Sequence, residues 1–322
     1  MTVKTVKPAK IKINAKATQT ILAFASLILL IIIFSILSPH FLTYSNMNTI
    51  LLATAVNGIL AVGITFIIIT GGIDLSIGTV MTFCSVMCAV FITNLGFPIA
   101  VGLLMSVVAG AICGFTNGTL IAKLKLPPFI ATLGMMNVTR GLNLIISGTK
   151  PVYIDAEGFY NIAIGMNVGI PNGVLIFFIS AIVAAFILSK TVLGRYTFAI
   201  GSNEESARLS GINTDWWKIG IYTMSGAFFG IAGIVMASRL SSAQPALGPG
   251  YEMDAIAAAV IGGASLSGGE GSILGTIIGA FIITVLTNGL RILSVPQEWQ
   301  MVVTGLIVIG AVYMDIVRRR IK

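Results

Sequence analysis

Six charged side chains lie close together in one short stretch of the chain, between two long apolar runs. They are Arg195, Glu204, Glu205, Arg208, Asp215 and Lys218. Carboxylates and cations at these spacings can cap a helix and form ion pairs. Ser202 and Glu205 fit the capping-box pattern, in which each side chain satisfies a free backbone N–H group of the first turn. Glu204 and Arg208 stand at i and i+4, and Gly211 can end the helix. The spacing predicts a polar helix of about eight residues, which needs a surface to pack on.

Two interpretations of this polar helix remain open. It is either a loop helix that rests on the ends of its own apolar neighbours, or a docking element for a cytosolic partner. Docking is favoured because the sequence contains no Gly-Lys-[Ser/Thr] phosphate loop. The apolar runs also lack the strings of acidic residues and histidines that proton-coupled carriers use.

Covalent and metal chemistry have few candidate residues. His40 is the only histidine, and the three cysteines, Cys84, Cys88 and Cys113, all lie within apolar runs. Such cysteines are typical of small buried hydrophobic residues. We therefore expect no catalytic residue and no metal site, so the chain is predicted not to be an enzyme.

The composition indicates a polytopic α-helical membrane protein, and we expect it in the inner (cytoplasmic) membrane. The chain is 56% hydrophobic and 9% charged, with a mean hydropathy of +1.00, whereas soluble chains are about one quarter charged. Apolar runs of roughly 20 residues, enough to cross about 30 Å of hydrocarbon, recur along the chain. We predict ten spans, at about 21–38, 48–70, 76–94, 97–122, 128–147, 171–189, 218–237, 255–266, 273–290 and 299–316.

The distribution of lysine and arginine sets the predicted orientation. With alternating spans and a cytoplasmic N-terminus, 15 of the 19 basic residues fall on the cytoplasmic side, as the positive-inside rule requires. Both termini are then cytoplasmic, and the net charge of +8 reports topology rather than nucleic-acid binding. The predicted parts are a basic N-terminal segment (1–20), a transmembrane domain (21–317) with a cytoplasmic loop at about 190–217, and a basic tail (318–322).

Adjacent glycines break the apolar pattern at two places. The sequence GGIDLS begins at Gly71 and the related GGASLS begins at Gly262. Asp74 in the first motif has two interpretations. It either lines a broken helix in a transport pathway or caps the following helix from a cytoplasmic turn.

Four longer stretches resemble a known family. They are GRYTFAIGSNEESARLSGIN from Gly194, AVGITFIIITGGIDLSIG (61–78), PPFIATLGMMNVTRG (127–141) and RLSSAQPALGPGYEMDAIAAAVIGGASLSGGEGSILGT (239–276). The first is similar to the cytoplasmic coupling loop of ATP-binding-cassette importer permeases. The others resemble the ribose-type, simple-sugar branch of those permeases, and the resemblance extends from about Ile21 to the C-terminus.

The resemblance implies a permease subunit that imports a ribose-like monosaccharide by alternating access. It implies three kinds of partner: a cytosolic ATPase that holds ATP and Mg, an extracytoplasmic sugar-binding protein, and a second permease, either a copy or a sister chain. No cofactor is expected in this chain. The coupling helix that seats in the ATPase would comprise Ser202, Asn203, Glu204, Glu205, Ser206, Ala207, Arg208, Leu209, Ser210 and Gly211. An ion-coupled secondary carrier or channel for a small polar solute is the alternative function.

Polar residues within the spans are candidates for the sugar pathway. Neutral sugars are commonly held by amides and carboxylates, and the spacing by three in the fifth span predicts a shared helix face. Arg140 on that face either lines the pathway or extends to the outer interface. The candidates are Asn57, Asp74, Asn117, Asn137, Arg140 and Asn143.

Polar residues before the eighth span form a candidate surface for the binding protein. They are Arg239, Gln244, Tyr251, Glu252 and Asp254. The alternative is a solvated loop in which Arg239 pairs with Glu252 or Asp254.

Overall fold

The structure is a computed structural model that describes residues 15–167 and 169–321. It is predominantly helical. The helices are α1 (Ala15–Leu37), α2 (Tyr44–Ile69), α3 (Ile77–Ala89), α4 (Ile99–Ala122), α5 (Pro128–Ser147), α6 (Asn172–Lys190), α7 (Val192–Ser202), α8 (Glu204–Leu209), α9 (Thr214–Leu240), α10 (Tyr251–Ile261), α11 (Ile273–Ile292) and α12 (Gln297–Ile321). A π-helical turn, Val90–Asn94, continues α3.

In the described part of the chain, four two-residue strands lie in the connections between helices. They are β1 (Val152–Tyr153), β2 (Met166–Asn167), β3 (Ile170–Pro171) and β4 (Ser242–Ala243). β1 pairs with β4 in antiparallel register, with Val152 opposite Ala243. β2 pairs with β3, also antiparallel, with Met166 opposite Pro171. The first pair ties the α5–α6 connection to the chain that leaves α9.

Within the described residues, eight helices are long and apolar enough to cross a membrane, which confirms the multi-pass membrane class. They are Thr20–Leu37, Tyr44–Ile69, Ile77–Asn94, Ile99–Ala122, Pro128–Ser147, Asn172–Lys190, Thr214–Leu240 and Ile273–Ile292. α12 adds a helix of 25 residues. The count of ten spans and the cytoplasmic termini stay predictions, and most of the N-terminal basic segment lies outside the described residues.

α2 is the central helix of the bundle. All of its residues from Thr54 to Ile69 are buried, as expected for a helix that is hydrophobic on every face. It packs against α6, α9, α10 and α11. α9 and α4 form another close contact, in which a methyl group at Gly110 or Gly226 would overlap the backbone of the other helix. Small residues allow this close approach of helices.

The predicted span at 255–266 corresponds to α10, which has only 11 residues and extends about 16 Å, about half of the roughly 30 Å hydrocarbon thickness. The bundle accommodates the short helix at half depth. The hydroxyl of Thr139, the twelfth residue of α5, donates to Thr79 near the start of α3 at 2.8 Å, so α3 begins about 17 Å along α5. The backbones of Gly78 and Gly248 touch there, which places the start of α10 beside the start of α3.

The segments that lead into α3 and α10 are irregular backbone inside the bundle. Such backbone is tolerated at membrane depth only where protein covers it or where it lines a cavity. Residues 70–76 enter from the side that holds α7 and α8, which the positive-inside rule assigns to the cytoplasm. Residues 244–250 enter from the opposite, outer side. The bundle therefore brings two helix N-termini together near its centre.

Candidate functional site

The predicted coupling helix is divided between two elements. Ser202 is the last residue of α7, and α8 begins at Glu204. The cap of α8 is Asn203, whose side-chain Oδ1 accepts a hydrogen bond from the N–H of Ser206 at 2.8 Å. The predicted capping box of Ser202 and Glu205 is therefore wrong, because the backbone of Ser202 continues the preceding helix.

The C-terminal end of α8 follows the prediction. Gly211 adopts a left-handed conformation with φ 86°, which glycine adopts without steric penalty. Its N–H donates to the carbonyl of Arg208 at 3.0 Å, and the N–H of Ile212 donates to that of Ala207 at 3.1 Å. This pair of bonds is the Schellman motif. α8 is therefore closed at both ends in spite of its length of six residues.

Ion pairs fix α8 to α9. The carboxylate of Glu204 lies 3.6 Å from Arg208, which confirms the predicted i, i+4 pair, and 2.6 Å from the ammonium of Lys218 in α9. The carboxylate of Asp215 lies 2.8 Å from Lys125 in the α4–α5 connection and 4.0 Å from Arg208. Four contacts thus join α8, α9 and the α4–α5 connection into one charged network, at the side that the positive-inside rule assigns to the cytoplasm.

One apolar side chain of α8 points away from the protein. Ala207 is buried against the bundle, whereas Leu209 is 84% exposed. Glu205, Ser206, Arg208 and Ser210 are exposed around it. An apolar residue at the centre of a polar rim is typical of a protein-binding surface. The sequence pattern did not single out Leu209, because a single leucine in a polar helix can equally well be buried against the bundle or exposed to a partner.

Four glycines, which we call the glycine junction, connect α7 to the bundle. They are Gly71, Gly201, Gly268 and Gly269. A methyl group at Gly201 would overlap the carbonyl oxygen of Ile69, the last residue of α2. That same carbonyl accepts a hydrogen bond from the N–H of Gly269 at 2.8 Å, and Gly268 lies against the backbones of Gly201 and Gly71. The end of α7 therefore bears directly on α2 and on the α10–α11 connection.

A cavity of about 770 Å³, which we call the central cavity, lies between α2, α10, α11 and α12, toward the side that the positive-inside rule assigns to the outside. Its lining is more polar than the spans around it. The polar residues are Thr49 and Asn57 of α2, Arg239 of α9, Tyr251 and Asp254 of α10, Thr284, Thr287, Asn288 and Arg291 of α11, and Gln297, Gln300 and Thr304 of α12. Its volume is in the range of small-molecule sites.

The predicted pathway residues fall into two groups. Asn57 lines the central cavity. Asp74, which is 1% exposed, lies in the buried turn before α3, where its Oδ1 accepts hydrogen bonds from the N–H and hydroxyl of Ser76 at 2.8 and 2.6 Å. Asn117 donates to the Ser76 hydroxyl at 3.1 Å. This cluster holds the irregular segment before α3 in place and lies apart from the cavity lining.

The three candidates on α5 do not share one environment. Asn137 and Arg140 are exposed, and the Asn137 amide donates to the carbonyl of Leu133 in its own helix. Asn143 is buried and donates to the carbonyl of Thr79 at 3.3 Å. The predicted common face is wrong, because a spacing of three drifts by about 60° per step around a helix with 3.6 residues per turn.

The predicted docking residues lie mostly at the central cavity. Arg239, Tyr251 and Asp254 line it, whereas Gln244 lines a smaller surface pocket. The carboxylate of Glu252 accepts from the N–H of Gly250 at 3.1 Å. Within the described ranges, Arg239 forms no ion pair with Glu252 or Asp254.

The polar residues of α11 are part of the cavity that the sequence analysis missed. Thr284, Thr287, Asn288 and Arg291 follow the spacing i, i+3, i+4, i+7 of one helix face. That spacing in an apolar run was a usable signal for a lined cavity. The sequence does not show which helix this face packs against, and only the fold shows that it shares the cavity with Asn57 of α2.

Comparison with known proteins gives consistent matches over nearly the whole chain. Residues 46–312 match the family model described as branched-chain amino acid transport system / permease component. The ribose import permease RbsC of Escherichia coli K12 is 42% identical over 90% of this chain and 91% of its own length. RbsC of Bacillus subtilis is 42% identical over 91% of each chain.

A relative named for another sugar is also similar. The fructose import permease FrcC of Rhizobium meliloti is 37% identical over 87% of this chain and 80% of its own length. No solved structure matches the chain. The family model covers all of the elements described above from α3 to α11. The chain therefore belongs to the permease component family of branched-chain amino acid transport systems.

Proposed function

We propose that this chain is the membrane-spanning subunit of an ATP-driven importer for a monosaccharide, with ribose as the first candidate substrate. The names of its relatives, two ribose permeases and a fructose permease, support a sugar. The observation that carries the proposal is α8, a short helix closed at both ends that presents the exposed Leu209 on the cytoplasmic side. Such a helix is suited to seat in a partner.

The partner that drives transport is a cytosolic ATPase. ATP and Mg bind in that subunit, and the described part of this chain contains no nucleotide-binding loop. Closure of the ATPase moves α8, and the Glu204–Lys218 ion pair carries that movement into α9. Through Gly201, the end of α7 also moves α2 and the α10–α11 connection. Because α2 and α10 line the central cavity, the movement changes access to it.

Two further partners complete the importer. A sugar-binding protein docks on the outer side near Gln244, Tyr251 and Glu252 and releases its sugar into the central cavity. A second permease, identical or related, pairs with this chain in the membrane. The cycle is alternating access, in which the cavity opens outward, receives sugar and then opens to the cytoplasm.

Uptake by the reconstituted protein tests this function. The chain is placed in liposomes with its cognate ATPase and binding protein. Uptake of radiolabelled D-ribose is then measured with and without ATP on the side of the membrane where the ATPase lies. We expect accumulation that requires ATP hydrolysis, the ATPase and the binding protein together. Accumulation by the chain alone that collapses with an ion gradient would establish the ion-coupled carrier instead.

A further inference from the structure

We propose that the base of the central cavity is a binding site for sugar hydroxyl groups, formed by Asn57 of α2 and Thr284 of α11 with Asp254 of α10 beside them. This assignment rests on the proposed function and adds the residues that contact the solute. It concerns one wall of the cavity, where α2 and α11 meet, and excludes the buried Asp74 cluster.

Two side-chain contacts set the register of α2 against α11. The hydroxyls of Thr65 and Thr276 lie 2.8 Å apart. Toward the outer side, Asn46 and Asn288 exchange two hydrogen bonds of 2.9 and 3.1 Å between their amides. The earlier residue of α2 pairs with the later residue of α11, so the helices are antiparallel. Counted from the Thr65–Thr276 contact, Asn57 and Thr284 each lie eight residues toward the Asn46–Asn288 pair, and both line the central cavity.

Both residues carry a polar atom that has no partner. Asn57 is 8% exposed and Thr284 is 2% exposed, yet Asn57 Oδ1 and Thr284 Oγ1 form no hydrogen bond within the part of the chain that the structure describes. Two other threonines of α11, Thr287 and Thr276, instead donate to carbonyls one turn back in their own helix. A buried polar atom without a partner is destabilising. Of the seven such side-chain atoms in the described residues, these two are the ones whose residues line the central cavity, where a ligand can supply hydroxyl groups.

The surrounding groups fit a neutral, polyhydroxylated solute. A sugar hydroxyl both donates and accepts, and the lining offers an acceptor in Asp254 and donors in Arg239 and Arg291. Asp254 forms no ion pair within the described ranges, so its oxygens are open to hydroxyl donors. One carboxylate and two guanidinium groups give the lining a net charge of +1, which disfavours a cationic solute. The uncharged amides and hydroxyls that make up the rest of the polar lining suit a neutral one. Met301 and Leu247 supply apolar contact for the C–H face of a sugar ring.

The position of the site suits delivery from the outer side. Arg291 and Gln297 are exposed at the mouth of the cavity, whereas Asn57 and Thr284 are buried at its base. A solute released at the mouth would therefore exchange water for protein hydrogen bonds as it descends. The helices at the base also reach the glycine junction. α2 ends there at Ile69, and the connection between α10 and α11 contributes Gly268 and Gly269.

Occupancy of the cavity by a solute can be measured by how far that solute slows alkylation of a cysteine introduced into the lining. Ala53 lines the cavity one turn from Asn57, and the native Cys84, Cys88 and Cys113 are buried. The variant Ala53→Cys is reconstituted alone in nanodiscs and treated with a membrane-impermeant thiol reagent, with the unmodified chain as background. We expect D-ribose to slow alkylation, and glycine betaine at equal osmolarity to leave the rate unchanged.

Substitutions at the base then test the assigned residues. In the Ala53→Cys background, Asn57→Leu and Thr284→Val should each raise the half-protecting concentration of D-ribose about tenfold, the effect of one lost hydrogen bond. Thr119→Val is the matched control, because Thr119 is half-buried on α4 outside the cavity lining, and its hydroxyl donates to the carbonyl of Phe115 in its own helix. It should leave protection unchanged.

The outcomes separate the site from the function. The site is supported if D-ribose protects the introduced thiol from alkylation, if Asn57→Leu and Thr284→Val weaken that protection, and if Thr119→Val leaves it unchanged. If ATP-driven D-ribose uptake proceeds but D-ribose gives no protection, or if both base variants protect as well as the parent, the site is wrong and the proposed function stands. If the parent chain takes up no D-ribose with its partners but a sugar acid protects the thiol, the neutral-sugar assignment is overturned as well.

Discussion

Leu209 is the residue on which contact with the ATPase depends most. It is 84% exposed at the centre of the polar α8 surface. We expect Leu209→Asp to weaken binding of the ATPase by about 30-fold, because its loss from the centre of the α8 surface should cost about 2 kcal/mol, the effect of one interface hot spot. Leu209→Met is the matched control and should bind normally. A Leu209→Asp variant that binds the ATPase as tightly as the parent would remove α8 from the interface.

The cap of α8 gives a second prediction for single residues. Because Asn203 Oδ1 accepts from the N–H of Ser206, Asn203→Ala should destabilise the first turn by about 1 kcal/mol. Hydrogen exchange at the Ser206 amide should then be about fivefold faster. Ser202→Ala is the control and should change that exchange much less. The opposite ranking would restore Ser202 as the cap.

Single residues also show where sequence reasoning succeeds. Gly211 and the Glu204–Arg208 pair were predictable because both depend on contacts within one short helix. Asn203 was missed because Ser202 and Asn203 are both good caps, and only the continuation of α7 decides between them. The half-depth position of α10 is a property of packing that its apolar sequence does not encode.

At the level of elements, the glycine junction connects the cytoplasmic surface to the cavity helices. Gly201→Ala places a methyl group on the carbonyl oxygen of Ile69 and forces α7 away from α2. We expect a loss of about 1–3 kcal/mol in stability from this overlap and a fall in ATP-driven uptake of at least about tenfold, because the shifted helix transmits less movement. Thermal unfolding and uptake in liposomes measure the two effects.

Gly220→Ala is the matched control for this substitution. Gly220 lies within α9, and no atom lies within 4 Å of the position that a methyl group would occupy. Alanine should be neutral or stabilise that helix by about 0.5–1 kcal/mol. Full uptake by Gly201→Ala would show that the junction does not transmit the movement.

The whole molecule is a multi-pass protein of the cytoplasmic membrane in which the cytoplasmic surface and the outer cavity share helices. α8 bears on α9, and α7 bears on α2 and the α10–α11 connection. α2, α10 and α11 also line the central cavity. The membrane class followed from composition, because a chain this apolar cannot present a water-facing surface. The cavity did not, because its polar residues come from helices that are distant in sequence.

The most direct test of this account measures the central cavity while the ATPase works. The thiol introduced by Ala53→Cys is alkylated in the assembled transporter with and without ATP. The account predicts that ATP changes the alkylation rate severalfold, and that Leu209→Asp abolishes the change while leaving the ATP-free rate intact. An alkylation rate that is the same with and without ATP, in a transporter that still accumulates D-ribose, would contradict it.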